Sequence, residues 1–176
     1  VQDSHFIAQP RVFERAGPLP APPPGQNWGD LMGMALESAR QGALNGEMPV
    51  GAVVAAPDGR VLARAHNAPI ALCDPVAHAE LLALRAAGQV LGNYRLNGCV
   101  LLVTLEPCPM CAAALVHARL AGLVFGAADA LAGAVISRAE YLDVSFCNHR
   151  IWRMGGVRAE ECAALLRDFF AQRRGR

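Results

Sequence analysis

From Trp28 onward the apolar positions keep changing their period, and each change marks an element. Leu31, Met34, Ala35, Leu36, Ala39 and Ala43 recur at helical spacing until Asn45-Gly46 stops the run. Val50 to Ala55 is a short unbroken apolar stretch, the pattern of a buried strand. After the Pro57-Asp58-Gly59 turn, Arg60 to Ala65 alternates as the returning arm of a hairpin. Asp74-Pro75 predicts a helix start, with Asp74 as N-cap and Pro75 at the first helical position, ending at Gly88. A strand is expected at Cys99 to Thr104, and Glu106-Pro107 opens the next helix. Gly122 to Gly126 reads as a strand, Asp129 to His149 as irregular with a helical turn near Ala139 to Leu142, and Arg150 to Met154 as a last strand. A closing helix spans Glu160 to Gln172 with Cys162, Leu165, Leu166, Phe169 and Phe170 on its apolar side. The order α-β-β-α-β-α-β-β-α predicts an α/β fold, a three-layer α/β/α sandwich around a five-stranded mixed sheet.

Residues 1–26 do not fit that scheme. Half of the 12 prolines lie between Pro10 and Pro24, so this stretch holds neither a helix nor a central strand. We expect a proline-rich arm, disordered or draped on the surface, ahead of one domain over 27–176. The domain is rich in apolar residues: 53% of the chain, with a mean hydropathy of +0.25. Yet no apolar run approaches the roughly 18 residues a membrane helix needs. The excess is suited to burial between subunits.

A net charge of +1 does not by itself mark a nucleic-acid binder. All 16 basic residues are arginine, and Arg167, Arg173, Arg174 and Arg176 crowd the C-terminus, as a solvated tail or a phosphate contact. With six cysteines and no secretory leader pattern, the expected setting is the reducing cytoplasm.

The chemistry concentrates in His78-Ala79-Glu80 and Pro107-Cys108-Pro109-Met110-Cys111. One imidazole and two thiolates give three corners of a tetrahedral Zn2+ site, leaving the fourth to a water or hydroxide. Cys108 and Cys111, three residues apart in the opening turn of a helix, share a face, and the helix end favours the thiolate. A closed structural zinc site would want a second C-x-x-C, and a redox pair would have no use for the histidine and glutamate. Together the two stretches spell H-x-E…P-C-x-x-C, the signature of zinc-dependent nucleobase deaminases. In that chemistry the activated water attacks a ring carbon bearing an exocyclic amine, and Glu80, not itself a ligand, shuttles the protons.

From about Trp28 to Arg174 the chain resembles the bacterial tRNA-specific adenosine deaminases, within the cytidine-deaminase-like fold. The resemblance rests on Glu47-Met48-Pro49-Val50-Gly51-Ala52, Asn67-Ala68-Pro69-Ile70, Asp74 to Glu80, Asn93-Tyr94-Arg95-Leu96, Leu105 to Cys111, Val124-Phe125-Gly126-Ala127, Asn148-His149-Arg150, Glu161 to Leu166 and Asp168-Phe169-Phe170. It implies deamination of adenosine to inosine at the first anticodon position of a tRNA, by a homodimer with one zinc per subunit. It also implies that Asn67 hydrogen-bonds the flipped-out base and that Asp129 contacts the RNA near it. Phe169, Phe170, Arg173 and Arg174 would lie beside the anticodon loop, although either phenylalanine could equally be core. Ala68, Ala128 and Leu131 stand where many relatives carry basic residues, which leaves fewer phosphate contacts at the mouth. The zinc residues alone fit equally a deaminase of free guanine, cytosine or adenosine-type substrates; with Glu80 idle, they would fit a structural zinc module.

Overall fold

The computed structural model describes residues 6–7 and 20–174. Its elements are β1 (Phe6–Ile7), α1 (Trp28–Leu44), β2 (Gly51–Ala55), β3 (Val61–His66), α2 (Pro69–Leu72), α3 (Ala79–Leu91), β4 (Val100–Leu105), α4 (Pro109–His117), β5 (Gly122–Asp129), β6 (Trp152–Met154) and α5 (Ala159–Arg174). A 3-10 turn at Tyr141–Asp143 lies between β5 and β6. Of the expected arm, the described residues are Phe6–Ile7 and 20–26; the remainder lies outside the described residues.

β2 pairs antiparallel with both β3 and β4, while β4, β5 and β6 run parallel. These five strands make the expected mixed sheet. β1 adds a two-residue antiparallel edge, with Phe6 opposite Asp129 and Ile7 opposite Ala128. The sheet is buried on both faces, which is why β2, β4 and β5 read as continuous apolar runs rather than alternating ones. One helix contact is unusually close. A Cβ on Gly51 would lie 2.0 Å from the Ala35 carbonyl oxygen and 2.6 Å from the Ala39 nitrogen, so glycine lets α1 seat on the backbone of β2.

Several element ends differ from the sequence reading, and the differences converge on one region. α3 starts at Ala79, not Pro75, because Asp74 is already occupied in a turn: its Oδ1 accepts from Val76 N, and its carbonyl from Ala77 N. His78 is instead the N-cap, in extended conformation. The helix passes Gly88 and ends at Leu91, with Gly92 in the left-handed cap at φ 61°. α4 likewise starts late, with Cys108 as its extended N-cap and Pro109 at the first position. A short helix, α2, is inserted between Asn67 and Asp74. β5 runs three residues past Gly126 to Asp129.

Candidate active site

Both helix starts sit at the carboxyl end of β4, where the sheet turns from parallel to antiparallel neighbours. Each N-cap, His78 and Cys108, presents its side chain there, joined by Cys111 from the first turn of α4. Nδ1 of His78 lies 3.6 Å from Cys111 Sγ and 3.8 Å from Cys108 Sγ, and one donor atom from each residue fits within 4.8 Å. A tetrahedral zinc with ordinary Zn–N and Zn–S bonds would separate nitrogen from sulfur by about 3.6 Å. The donor set and its spacing therefore fit zinc.

Electrostatics agree with that assignment. The hydrogen bond between the two sulfurs holds the Cys108 thiol down at about 4 and pushes Cys111 far up, so that one thiolate and one thiol share a proton. The hydrogen bond to Cys108 also lifts His78 above its ordinary value. A divalent cation would replace those shared protons and allow both sulfurs to ionise. The two helix N-termini favour the same negative charge.

Glu80, the second residue of α3, is 4% exposed, and that burial is the main cause raising its carboxyl above the usual range. It is absent from the ligand cluster and meets the Cys111 sulfur. Asn67 is buried just beyond the end of β3, and its Oδ1 accepts from Ala79 N at 2.9 Å. That bond satisfies the first free N–H of α3 from 12 residues away, so the helix needs no local cap. The amide nitrogen of Asn67 is left as the available donor.

The other sequence-predicted residues lie farther out. Asp129 ends β5, and its Oδ1 accepts from Leu131 N and Ala132 N, shaping the loop that follows. Phe169 and Phe170 stack edge to face at 5.6 Å, both half-buried, with Phe170 packed on the core. The Arg173 guanidinium lies 4.7 Å over the Phe169 ring and donates to the Gly46 carbonyl at 2.8 Å. Arg174 occupies the last turn of α5. Asn148 and His149, which the resemblance places among the family motifs, latch the turn before β5: Arg119 donates to both Asn148 oxygens, and a His149 nitrogen lies 2.6 Å from the Leu120 carbonyl oxygen.

Sequence reasoning assigned no role to two buried carboxyls. Glu47, 1% exposed, accepts from Ile70 N and Ala71 N and so fixes α2 beside Asn67. Glu106, 2% exposed, accepts from the loop after β5. A signal was available in each case, because a lone charge inside an apolar stretch has to be paired if it is buried.

Comparison with known proteins follows the same lines. Residues 26–127 match the family model for the cytidine and deoxycytidylate deaminase zinc-binding region. The tRNA-specific adenosine deaminase of Haemophilus influenzae is 44% identical over 144 residues, covering 82% of this chain and 83% of that protein. A tRNA(Ile)-lysidine synthase of Deinococcus deserti is 42% identical over 168 residues, 96% of this chain but only 31% of that longer protein. Among solved structures, one from a study of A-to-I editing by tRNA:A34 deaminases at the wobble position superposes with a TM-score of 0.76. It is 42% identical and covers 78% of this chain and 99% of that one. A guanine deaminase from Nitrosomonas europaea shares the fold at 26% identity and a TM-score of 0.68, covering 93% of this chain and 88% of that one.

Proposed function

This chain belongs to the cytidine and deoxycytidylate deaminase family, and from that premise we propose that it deaminates adenosine to inosine at the first anticodon position of a tRNA. The observation that carries the deaminase chemistry is the placement of Glu80, buried beside the His78–Cys108–Cys111 cluster without belonging to it. The preference for adenosine in tRNA is supported by 44% identity over most of the chain to an enzyme of that activity.

His78, Cys108 and Cys111 would hold the zinc. When bound, zinc lowers the pKa of a water from about 16 towards about 7 and so supplies the nucleophile at neutral pH. The remaining chemistry falls to this chain's own groups. The Glu80 carboxyl accepts the proton released as water adds to C6 of adenine, passes it to N1, and later helps protonate the departing ammonia. Its burial keeps bulk water from competing for that proton. The Asn67 amide nitrogen donates to a ring nitrogen of the flipped base, while its oxygen stays on Ala79 N.

Asp129 and the Phe169-Phe170-Arg173-Arg174 end of α5 are assigned to the RNA around the target. Gly46 supports this assignment. Arg173 bonds to its carbonyl, and the adjoining Glu47 holds α2, so the helix end is tied to the wall carrying Asn67. We assign the second copy of a homodimer to the groove of about 710 Å³ between α3 and α4, where Leu81, Leu84, Tyr94 and Ala114 line an apolar surface. A tRNA substrate places the work in the cytoplasm, and among the described residues no helix is long and apolar enough to cross a membrane. The catalytic domain is assigned to residues 27–176, with Phe6–Ile7 reaching back to the edge of its sheet at Asp129.

The decisive experiment measures inosine in an anticodon stem-loop alongside ammonia release from free adenosine, cytidine and guanine. Inosine in the stem-loop with little release from the free compounds is expected. Turnover of the free compounds alone would overturn the tRNA assignment.

A further inference from the structure

Glu106 immediately precedes Pro107-Cys108, yet it is absent from the metal cluster and its carboxyl is bonded into the loop after β5. Oε1 accepts from Val135 N at 3.1 Å, Ile136 N at 2.7 Å and Ser137 N at 2.9 Å. Oε2 accepts from Asp129 N at 3.0 Å and from the Ser137 hydroxyl. A carboxylate offers about four lone-pair sites, so five donors saturate it. Its acceptor sites are all taken by the loop, which separates it from Glu80.

The loop is wrapped closely around this one group. A Cβ on Gly133 would fall 2.4 Å from Glu106 Cδ and Oε2, and 2.5 Å from the Asp129 carbonyl oxygen. The backbone adds a second tie one residue on, where Ala134 N donates to the Pro107 carbonyl at 2.9 Å. Residues 129–137 contain no helix or strand after β5 ends at Asp129, so their shape depends on these bonds rather than on a ladder of their own. Leu131, in the same loop, is 57% exposed.

We propose that Glu106 is a positioning residue for substrate binding: its carboxylate fixes the loop carrying Asp129 at a set distance from the metal ligands, and so sets the grip on RNA without touching it. The proposal rests on the reading of this site as a tRNA deaminase.

The physical requirement is for acceptors only. A glutamine keeps the size but turns one oxygen into an N–H donor, which must then face the Asp129 N–H or the three N–H groups from 135–137. Glu106→Gln is therefore expected to raise KM for the anticodon stem-loop at least tenfold. It should leave kcat within about threefold and zinc at one per chain, and speed amide exchange at Asp129 and Val135–Ser137 at least tenfold. An unchanged KM and unchanged exchange would overturn the proposal. So would a collapse of kcat or of zinc content at unchanged KM, which would make Glu106 a support of the metal site. If Glu106→Gln does not fold, Ser137→Ala decides, because it removes one donor and leaves every backbone bond. A rise of about threefold in KM with faster exchange at 135–137 supports the proposal, and parental values for both overturn it. Should the unmodified protein itself fail to turn over the stem-loop, the functional reading fails; exchange in the two variants still tells whether Glu106 holds the loop.

Discussion

Glu80 and Glu106 are both buried carboxyls near the end of β4, and their surroundings give them opposite work. Glu106 is saturated with donors, whereas Glu80 meets its own backbone N–H and the Cys111 sulfur, and burial pushes it up toward the neutral form. A carboxyl that gains and loses a proton readily suits a shuttle. Glu80→Ala should therefore retain one zinc per chain while inosine formation drops by about 100-fold to 10,000-fold. Metal analysis beside an activity assay checks both halves, and loss of zinc would make Glu80 a ligand instead. The cysteines give a second prediction at this scale. In metal-free protein Cys108, held down at about 4 by its hydrogen bond from Cys111, is a thiolate at any pH well above that value. Its alkylation rate should thus be nearly flat from pH 6 to 8, where an ordinary thiol of pKa about 8.5 speeds up close to tenfold per unit. Zinc should suppress the reaction. A normal thiol profile at Cys108 would contradict the sulfur–sulfur hydrogen bond.

At the scale of elements, α3 begins where its neighbours allow rather than where local signals are strongest. Asp74-Pro75 is a good local start, but the N–H of Ala79 finds its acceptor on Asn67, so α3 starts four residues later with His78 as its cap. Asn67 therefore serves both the helix and, in our reading, the base, and two variants separate these duties. Asn67→Ala leaves the Ala79 N–H unsatisfied and should cost about 1–3 kcal/mol of stability along with activity. Asn67→Asp keeps the acceptor and adds negative charge at a helix N-terminus, so stability should hold while deamination falls. Chemical denaturation beside stem-loop turnover checks the pair, and full activity in Asn67→Asp would remove the amide donor from the mechanism. In α4 Cys108 stands at the N-cap position without a capping side-chain bond, while the Glu106 carboxyl two residues earlier is committed to the distant loop.

For the whole molecule, the sheet delivers the ligands and the loops close the site around them. The apolar excess that composition shows is partly left on the surface beside the α3–α4 groove, where Val90 is 60% and Tyr94 74% exposed. If a second copy covers this face, Val90→Lys with Tyr94→Lys should weaken association at least tenfold without lowering monomer stability, since neither side chain is buried in the single chain and a cation suits the last turn of α3. Light scattering over a concentration series tests this. Mass near twice 18.6 kDa for the parent and a shift toward 18.6 kDa for the variant is expected, and a parent that stays monomeric rules the interface out. The sequence by itself determined the layer order, five strands of the sheet and the metal triad, because apolar period and ligand spacing are local properties. It did not reveal where α3 starts, or what Glu47 and Glu106 do. Those depend on partners 12 to 31 residues away, which only the packed chain brings within hydrogen-bonding reach. The H-x-E and P-C-x-x-C stretches name the reaction in one dimension; the fold sets both ligand groups at helix starts and holds the walls around them with two buried carboxyls.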